Sequence, residues 1–291
     1  MYFSASLLTF LLPLTALPIT RAQETAESIQ RAEVALLALQ QFYNGSTGLW
    51  NGWWNSANVM TIVANLVKLD PNPQLQDLAG RIFANTALMA PAHNVDPGAE
   101  EPLKRGKRRA ASGYTKGYDE HGIPYTKYPD SVDVVRTKRE TSEPRQNKPK
   151  YDPHAWLDGF YDDDLWWALA FIAAYDVTKD AEYLKLGEGI FNAVSRVWPS
   201  SCGGGGIYWN NKKNGVNAIA NELFFSTAAH LANRANDKDK YADWAVKSID
   251  WFMKSGMIND QGLINDGLTA APECKNNGRV STPSLYLGIK N

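Results

Sequence analysis

The hydrophobic positions along this chain recur with the spacing of α-helices. In the first such stretch, Ile29, Ala32, Leu36, Leu39 and Tyr43 are three or four residues apart and therefore share one helix face. Six later stretches show the same spacing, near residues 59–66, 75–82, 166–177, 184–198, 219–232 and 241–252. No segment alternates convincingly between apolar and polar residues, as a half-buried strand would. The pattern therefore predicts seven helices and an all-α fold.

The loops between the predicted helices share a glycine that is followed by apolar or aromatic residues. It occurs at Gly48, Gly159, Gly206 and Gly262; the last three are 47 and 56 residues apart, whereas the first gap is 111. Removing about fifty residues from that gap would restore a repeat of one loop and two helices. We therefore expect stacked helical hairpins curled into an α/α toroid, with these loops on one face. About four hairpins are recognisable, whereas a closed (α/α)6 ring needs six.

The segment 98–150 is the odd part of the long gap. It holds 13 of the 30 Lys and Arg residues, including a basic run at 104–109, and it lacks helical periodicity. Dense charge without an apolar face is typical of a solvated loop, so we predict an exposed loop insertion here. Cleavage by a dibasic-directed protease and a gene-model error that retained non-coding sequence are the alternatives.

The amino-acid composition makes some classes of function less plausible than others. The 291 residues are 44% hydrophobic with a formal net charge of −1, which argues against a nucleic-acid or membrane-surface role. Ten Trp residues weakly favour carbohydrate binding, because a flat indole ring suits the C–H face of a pyranose, although large cores also use Trp. The four His residues show no metal-ligand spacing, and neither a metal nor another cofactor is expected.

The first residues are typical of an export signal. An apolar stretch at 7–17 is followed by Thr20, Arg21 and Ala22, which places small residues where a signal peptidase prefers them. We interpret 1–22 as a signal peptide and 23–291 as one domain. No other segment is long and apolar enough to span a membrane.

Two further features agree with a secretory route. Asn44 begins an Asn-Gly-Ser triplet, the acceptor for N-glycosylation. The only two cysteines, Cys202 and Cys274, suggest one disulfide in an exported protein. Two unpaired buried thiols are the alternative.

Three consecutive aspartates, Asp162, Asp163 and Asp164, stand where the fourth predicted helix starts. One interpretation is helix capping, because free N–H groups and the helix dipole stabilise Asp at a helix start. The other is glycoside hydrolysis, which needs two carboxyl groups in different protonation states, about 5–5.5 Å apart in retaining enzymes. Crowded like charges would raise one pKa and keep a proton on the acid partner. The motif alone leaves both interpretations open.

Several blocks in one order resemble glycoside hydrolase family 76, the endo-α-1,6-mannanases and related fungal cell-wall proteins. The blocks are GLW at 48–50, WWNSAN at 53–58, YDDDLWWALA at 161–170, GGIYW at 205–209, NAIANEL at 217–223 and GLINDG at 262–267. The resemblance covers roughly 24–97 and 151–278. It implies an (α/α)6 barrel that is the catalytic domain and a retaining mechanism, with Asp162 as the nucleophile and Asp163 as the general acid/base. Asp164 falls where the family often has Glu, and a supporting or capping role is expected for it.

The resemblance also implies a cleft that binds α-1,6-linked mannan or mannose oligosaccharides. Seven residues from the loops and helix starts of one face are expected to stack on sugar rings or bond hydroxyls: Trp54, Asn55, Asn58, Trp209, Asn221, Glu222 and Asp266. For each of them, core packing or helix capping is the alternative. Cys202 and Cys274 flank the third and fourth loops, so a bridge between them would tie these loops together.

The chain departs from the family pattern after Gly278, where relatives continue with more helices and this chain has a divergent tail at 279–291. We interpret this departure as truncation. The expected function is that of a mannan endo-1,6-α-mannosidase, secreted or held at the cell wall, or a transglycosidase using the same site. An inactive homologue that at most binds mannan is the alternative. A toroidal sugar epimerase is disfavoured, because those enzymes use histidine chemistry and the motif loops contain no His.

Overall fold

The computed structural model describes residues 21–96, 115–118, 124–127 and 150–279, apart from 214 and 270. The predicted signal peptide and the tail lie almost entirely outside the described residues, as does most of the 98–150 segment. Among the described residues, no helix is long and apolar enough to cross a membrane.

The described part of the chain is built from helices, as predicted. All seven predicted stretches are helical, and they are α1 (Arg21–Leu39), α2 (Trp53–Leu69), α3 (Pro73–Met89), α4 (Tyr161–Thr178), α5 (Ala181–Val194), α6 (Ala218–Ala232) and α7 (Lys238–Lys254). Side chains that accept a hydrogen bond from a free main-chain N–H fix three of the starts: Asn72 for α3, Asp180 for α5 and Asn217 for α6. The prediction placed the end of α5 at Trp198. The α-helix instead ends at Val194 and a 3-10 turn follows, just before Pro199.

The helices form two layers, with α4 at the centre. Helix α4 packs against α2 on one side and α6 on the other, while α3, α5 and α7 each pack against the helix that precedes them. The apolar side chains of α4 are distributed over all of its faces, which is typical of a helix that is buried on every side. Two of its largest side chains, Trp167 and Phe171, are fully buried. This packing fixes the position of the first turn of α4, which carries the three aspartates.

Two short antiparallel strand pairs supplement the helices. β1 (Thr115–Tyr118) pairs with β2 (Pro124–Lys127), and β3 (Val216–Asn217) pairs with β4 (Gly267–Leu268). The loop prediction for 98–150 is therefore wrong for the eight residues of β1 and β2. Strands of two to four residues are too short to leave a period-two signal in the sequence.

A disulfide joins Cys202 and Cys274, as predicted, and both cysteines are used. Cys202 lies in the loop between α5 and α6, and Cys274 lies after β4. The bridge therefore ties together the two loops that precede and follow the α6–α7 hairpin, and it excludes the alternative of two unpaired thiols.

Candidate active site

The candidate site is the first turn of α4 and the loop before it. Phe160 is the N-cap residue and its side chain makes no capping bond, so Asp162, Asp163 and Asp164 all lie in the first turn. Gly159 has a φ of +85°, and a Cβ there would lie 2.6 Å from Nδ2 of Asn211. Only glycine suits both the positive φ and the close approach of the neighbouring loop. None of the three aspartates is the N-cap, so capping in the strict sense does not explain them.

The loop between α5 and α6 is bonded directly to this helix start. The carbonyl oxygen of Trp209 accepts a hydrogen bond of 2.9 Å from the N–H of Tyr161, and the N–H of Asn211 donates to the carbonyl of Gly159. The indole ring of Trp209 also meets the ring of Phe160 edge-on, with centroids 5.1 Å apart. Main-chain bonds and ring packing therefore hold Trp209 beside the aspartates.

Asp162 is placed by a side-chain bond to Trp209. The indole N–H donates to Oδ2 of Asp162 over 3.1 Å, at the exposed edge of the site. Oδ1 is buried and has no hydrogen-bond partner among the described residues. Burial raises the pKa of Asp162, while the indole N–H and the main-chain N–H groups of Asp162 and Asp163 act to lower it. These three donors favour the ionised form.

A fourth carboxyl group, that of Asp158, completes the cluster. Asp158 and Asp164 are both buried, at 0% and 1% exposure, and the N–H of Asp158 donates to Oδ1 of Asp164 over 2.9 Å. Oδ1 of Asp158 in turn accepts a 2.8 Å bond from the N–H of Phe160. Asp158 is not among the predicted catalytic residues, since a single Asp in a loop carries no spacing signal. Its position directly before a helix-start glycine is the one feature that could have singled it out.

The four carboxyl groups differ in pKa because their surroundings differ. The pKa of Asp163 is raised to about 8, by burial first and then by the charges of Asp158 and Asp162. The pKa of Asp164 is raised well above its ordinary value by complete burial and the charge of Asp158. Burial raises the pKa of Asp158 to about 6, less than for Asp163, because the N–H of Phe160 donates to Oδ1 of Asp158 and the neighbouring carboxyl groups of Asp163 and Asp164 also act to lower its pKa. At neutral pH the cluster therefore favours a proton on Asp163, whereas Asp158 is ionised more readily.

Glu222 is a second, separate buried acid. It lies in the second turn of α6, it is 6% exposed, and burial alone raises its pKa to about 7. No neighbouring carboxyl group contributes to that pKa shift, so Glu222 is electrostatically independent of the α4 cluster.

The three residues predicted at the start of α2 are all at least partly accessible. The Trp54 side chain is 44% exposed, and Asn55 and Asn58 are half-buried. Nδ2 of Asn58 donates a long 3.5 Å bond to the carbonyl of Trp54, and the Asn55 side chain folds back over Gly52. The structure thus places an open indole face on the helix that packs against α4.

Asn221 and Asp266 hold the loops in place. The Asn221 side chain accepts from the N–H of Ile207 and donates to the carbonyls of Ile207 and Asn217, and it is 2% exposed. The side chain of Asn221 is thus buried and bonded to main-chain groups, which favours the structural alternative over contact with substrate. The carbonyl of Asp266 accepts the N–H of Ala218 at the start of α6, while its half-buried carboxylate accepts from Asn277 over 3.3 Å.

A cavity of about 600 Å³ lies away from the aspartates, at the C-terminal ends of α4 and α6, and includes Asp176, His230 and Arg234. Asp176 there accepts 2.6 Å bonds from Arg234 and Lys68, so ion pairs satisfy its charge. We place the candidate chemistry at the α4 start, because adjacent carboxyl groups in different environments lie there. Within the described ranges, no set of three or more His, Cys, Asp or Glu side chains is arranged to hold a metal ion.

Comparison with known proteins agrees with this geometry. The family model of glycosyl hydrolase family 76 matches residues 122–283, which include the complete α4 cluster. A putative mannan endo-1,6-alpha-mannosidase of Schizosaccharomyces pombe is 31% identical over 124 residues, which cover 39% of this chain and 28% of the relative. The chain spans about a third of the length of the curated relatives it matches.

Solved structures share the fold. A family 76 mannosidase of Bacteroides thetaiotaomicron superposes with a TM-score of 0.55 at 14% identity, over 86% of this chain and 59% of that one. An inactive variant of an α-1,6-mannanase from Salegentibacter sp. HEL1_6, substituted at two consecutive aspartates and bound to α-1,6-mannotetrose, superposes with a TM-score of 0.51 at 15% identity. That match covers 84% of this chain and 54% of the other. Family 76 structures are (α/α)6 toroids, which confirms the predicted fold class. Since the family model covers more than half of the chain, this protein belongs to glycosyl hydrolase family 76.

Proposed function

We propose that this protein hydrolyses α-1,6-mannosidic bonds within mannan and retains the anomeric configuration. One observation carries the proposal: adjacent carboxyl groups at one helix start lie in different environments. The indole N–H of Trp209 bonds Oδ2 of Asp162 and stabilises its charge, whereas burial and two neighbouring charges raise the pKa of Asp163 to about 8. The names of the fungal relatives supply the linkage. The Salegentibacter mannanase, which loses activity when two consecutive aspartates are replaced, supports the choice of an adjacent pair.

In the first step, Asp162 is the nucleophile and Asp163 is the acid. Oδ2 of Asp162 attacks the anomeric carbon while the bond from that carbon to the leaving oxygen breaks. Asp163 gives its proton to the leaving oxygen, so the departing sugar leaves as a neutral alcohol. Oδ2 is the attacking atom because Oδ1 is buried, whereas the bond from Trp209 to Oδ2 lies at the exposed edge.

Formation of the covalent intermediate then lowers the pKa of Asp163, as the second step requires. Once Asp162 is esterified to the sugar it carries no charge, and one of the two charges that raise the pKa of Asp163 is gone. Asp163 is then ionised more readily and can take a proton from the incoming water. The water oxygen attacks the anomeric carbon, the ester bond to Asp162 breaks, and both carboxyl groups return to their starting states. A sugar hydroxyl in place of water would give transglycosylation.

Exposed aromatic rings near the carboxylates are suited to bind the sugar chain. Trp209 is 38% exposed and already bonded to Asp162, so we assign it to the mannose ring next to the cleaved bond. Trp54, with Asn55 and Asn58, would contact a mannose farther along the chain. Glu222 and the carboxylate of Asp266 are proposed as hydroxyl partners on the α6 side.

We further propose that the protein is exported and glycosylated at Asn44. The disulfide between Cys202 and Cys274 supports an oxidising compartment. Asn44 is exposed, and its Oδ1 accepts bonds from both the N–H and the hydroxyl of Ser46. This arrangement leaves the amide nitrogen, the atom that is glycosylated, facing away from the bonded side.

Incubation of the purified 291-residue chain with unbranched α-1,6-mannan tests the proposed function. We expect oligosaccharides of several mannose units among the first products, because an endo-acting enzyme cuts within the chain. Asp162→Asn should abolish their release, and Asp152→Asn, an exposed aspartate of the preceding loop, should not. Undiminished release by Asp162→Asn would remove that residue from the mechanism. No release by the unaltered chain would favour an inactive, mannan-binding homologue.

A further inference from the structure

A second cavity, of about 300 Å³, lies beside the disulfide, between the C-terminal end of α7 and the loop that precedes α6. None of the four aspartates at the α4 start lines this α7 cavity. We propose that it binds a mannose ring of the polysaccharide at a distance from the catalytic aspartates. The lining indicates a neutral sugar ring, and the identity of that sugar rests on the proposed function.

One part of the cavity lining is apolar and held in place. It consists of the disulfide between Cys202 and Cys274, the side chain of Leu268, which is 6% exposed, and the half-buried indole of Trp251. The indole N–H of Trp251 donates a 3.1 Å hydrogen bond to the carbonyl of Cys202. An aromatic ring among apolar neighbours suits the C–H face of a pyranose.

Two glycines of the loop make room for the Trp251 ring. A Cβ atom at Gly205 or at Gly206 would collide with the indole. The next residue, Ile207, is bonded through its N–H and its carbonyl to the buried side chain of Asn221. The loop and the indole are therefore fixed before a ligand arrives, which lowers the entropic cost of binding.

The other part of the lining supplies hydrogen-bonding groups that the described residues leave unused. Asp250 and Lys254 are exposed and lie one turn apart on α7. An Asp four residues before a Lys is in the order that favours an ion pair on a helix. Within the part of the chain that the structure describes, however, neither side chain forms a salt bridge or a side-chain hydrogen bond.

The charges of Asp250 and Lys254 indicate the class of ligand. Because they are opposite, their sum favours neither an anion nor a cation. A carboxylate only accepts hydrogen bonds and an ammonium only donates them, so a ligand that satisfies both must offer donors and acceptors together. Neighbouring hydroxyl groups of a sugar do so. A volume of about 300 Å³ is at the lower end of the range for small-molecule sites, which suits a single sugar ring.

The larger cavity at the ends of α4 and α6 lacks this combination. The carboxylate of Asp176 is already bonded by Arg234 and Lys68. The ammonium group of Lys179 lies over the ring of Tyr175, 5.6 Å from its centroid. Both the charged groups and the aromatic face are therefore occupied there by the protein itself, whereas those of the α7 cavity remain available.

The loop that lines the α7 cavity also reaches the candidate active site. Cys202 and Gly203 line the cavity, and Trp209, farther along the same loop, bonds Asp162. A polysaccharide held at the α7 cavity would be retained near the catalytic aspartates, because a second point of attachment raises the effective concentration of the chain at the first.

Titration of the full chain with methyl α-mannoside, followed by 1H–15N NMR, tests this site. The ligand is one mannose ring without a mannose–mannose bond, so cleavage of an α-1,6 linkage does not complicate the measurement. The indole N–H signals of Trp251 and Trp209 report on the α7 cavity and the candidate active site separately, and triple-resonance spectra of the unaltered chain assign both. The variants are Asp250→Ala and Lys254→Ala. Asp243→Ala is the matched control, an exposed aspartate of α7 outside the cavity lining.

We expect the Trp251 signal to shift saturably, with a Kd in the millimolar range. Asp250→Ala and Lys254→Ala should each weaken this binding about tenfold, because each removes a charged hydrogen-bonding partner, whereas Asp243→Ala should leave it unchanged. A Trp251 signal that stays in place up to about 100 mM ligand would overturn the inference. The same conclusion would follow from an undiminished affinity in Asp250→Ala, or from an equal response to sorbitol, which has hydroxyl groups but no ring.

This result is separable from the proposed function. If the unaltered chain releases no oligosaccharide from α-1,6-mannan, the proposed hydrolysis fails, and the Trp251 titration still decides whether the α7 cavity binds mannose. If hydrolysis is observed and only the Trp209 signal responds to the ligand, the proposed function stands and the second site is refuted.

Discussion

The indole N–H of Trp209 donates a 3.1 Å hydrogen bond to Oδ2 of Asp162, across 47 residues of sequence. A hydrogen bond to a carboxylate stabilises the charged form, and such charge-assisted bonds contribute about 1.5–3 kcal/mol. The same loop is bonded to the N–H of Tyr161, so the donor is held in place before any substrate arrives. The fold thus prepares the anion that the proposed mechanism requires.

Trp209→Phe tests this bond. The variant keeps an aromatic ring against Phe160 and loses only the donor, so the pKa of Asp162 should rise and the acidic limb of the kcat/KM profile should move to higher pH. We expect about a tenfold loss of kcat/KM at pH 5 and a smaller loss at pH 7. Trp54→Phe is the matched control, because Trp54 is also exposed but bonds no carboxylate. An acidic limb that stays in place in Trp209→Phe would contradict the assignment.

Asp163→Asn should inactivate the protein and yet stabilise it. A carboxyl group whose pKa rises on folding, from about 3.9 to about 8, destabilises the folded state increasingly as pH rises between those values. Asparagine carries no such penalty. In urea unfolding we expect a gain of about 1 kcal/mol or more at pH 8 and a smaller one at pH 5. Asp77→Asn, an exposed change on α3, should show no such trend. Equal stability of the Asp163 variant and the unaltered chain at both pH values would count against a protonated Asp163.

Asp176→Asn should destabilise the fold without affecting the proposed site. Although burial acts to raise it, the pKa of Asp176 is lowered to about 2 by the bonds from Arg234 and Lys68. A carboxylate whose pKa falls on folding stabilises the folded state above its unfolded pKa of about 3.9, and this contribution is lost as pH falls towards 2. We expect a loss of about 1–2 kcal/mol at pH 7, measured by urea unfolding, that disappears near pH 2. The exposed pair of Arg81 and Asp77 on α3 is the control, since Asp77→Asn should change stability by less than about 0.5 kcal/mol.

Glycosylation at Asn44 predicts a mass difference. When the chain is expressed through a secretory pathway, enzymatic deglycosylation should reduce its mass by one N-glycan. Ser46→Ala should abolish this difference, because it removes the hydroxyl that donates to Oδ1 of Asn44 over 2.6 Å. Ser46→Thr retains a hydroxyl and should keep the glycan. A mass that is insensitive to deglycosylation would show that Asn44 is not modified in that host.

The helices could be predicted from the sequence because each one buries an apolar face of constant spacing. The chemistry of the site could be predicted less well. Asp162 and Asp163 could be proposed as a reacting pair, but their different environments depend on Trp209 and Asp158, which only the folded loops bring near. The spacing of residues along the chain carries no information on such contacts.

For Asn221, the sequence motif suggested a functional contact where the structure shows a structural one. Its position in a motif next to Glu222 suggested contact with sugar, yet its amide bonds the main chain of Ile207, 14 residues earlier. Amide side chains suit sugar hydroxyls and main-chain groups equally well. Residue type alone could not distinguish the two roles, whereas the burial of Asn221 does.

The stereochemistry of the first product tests the central claim most directly. Following α-1,6-mannan cleavage by 1H NMR from the first minutes resolves the anomers of the new reducing end before they equilibrate. Attack by Asp162 followed by water predicts that the α-anomer appears first and the β-anomer grows in only by mutarotation. Initial release of the β-anomer would mean direct attack by water, and would contradict a covalent intermediate on Asp162.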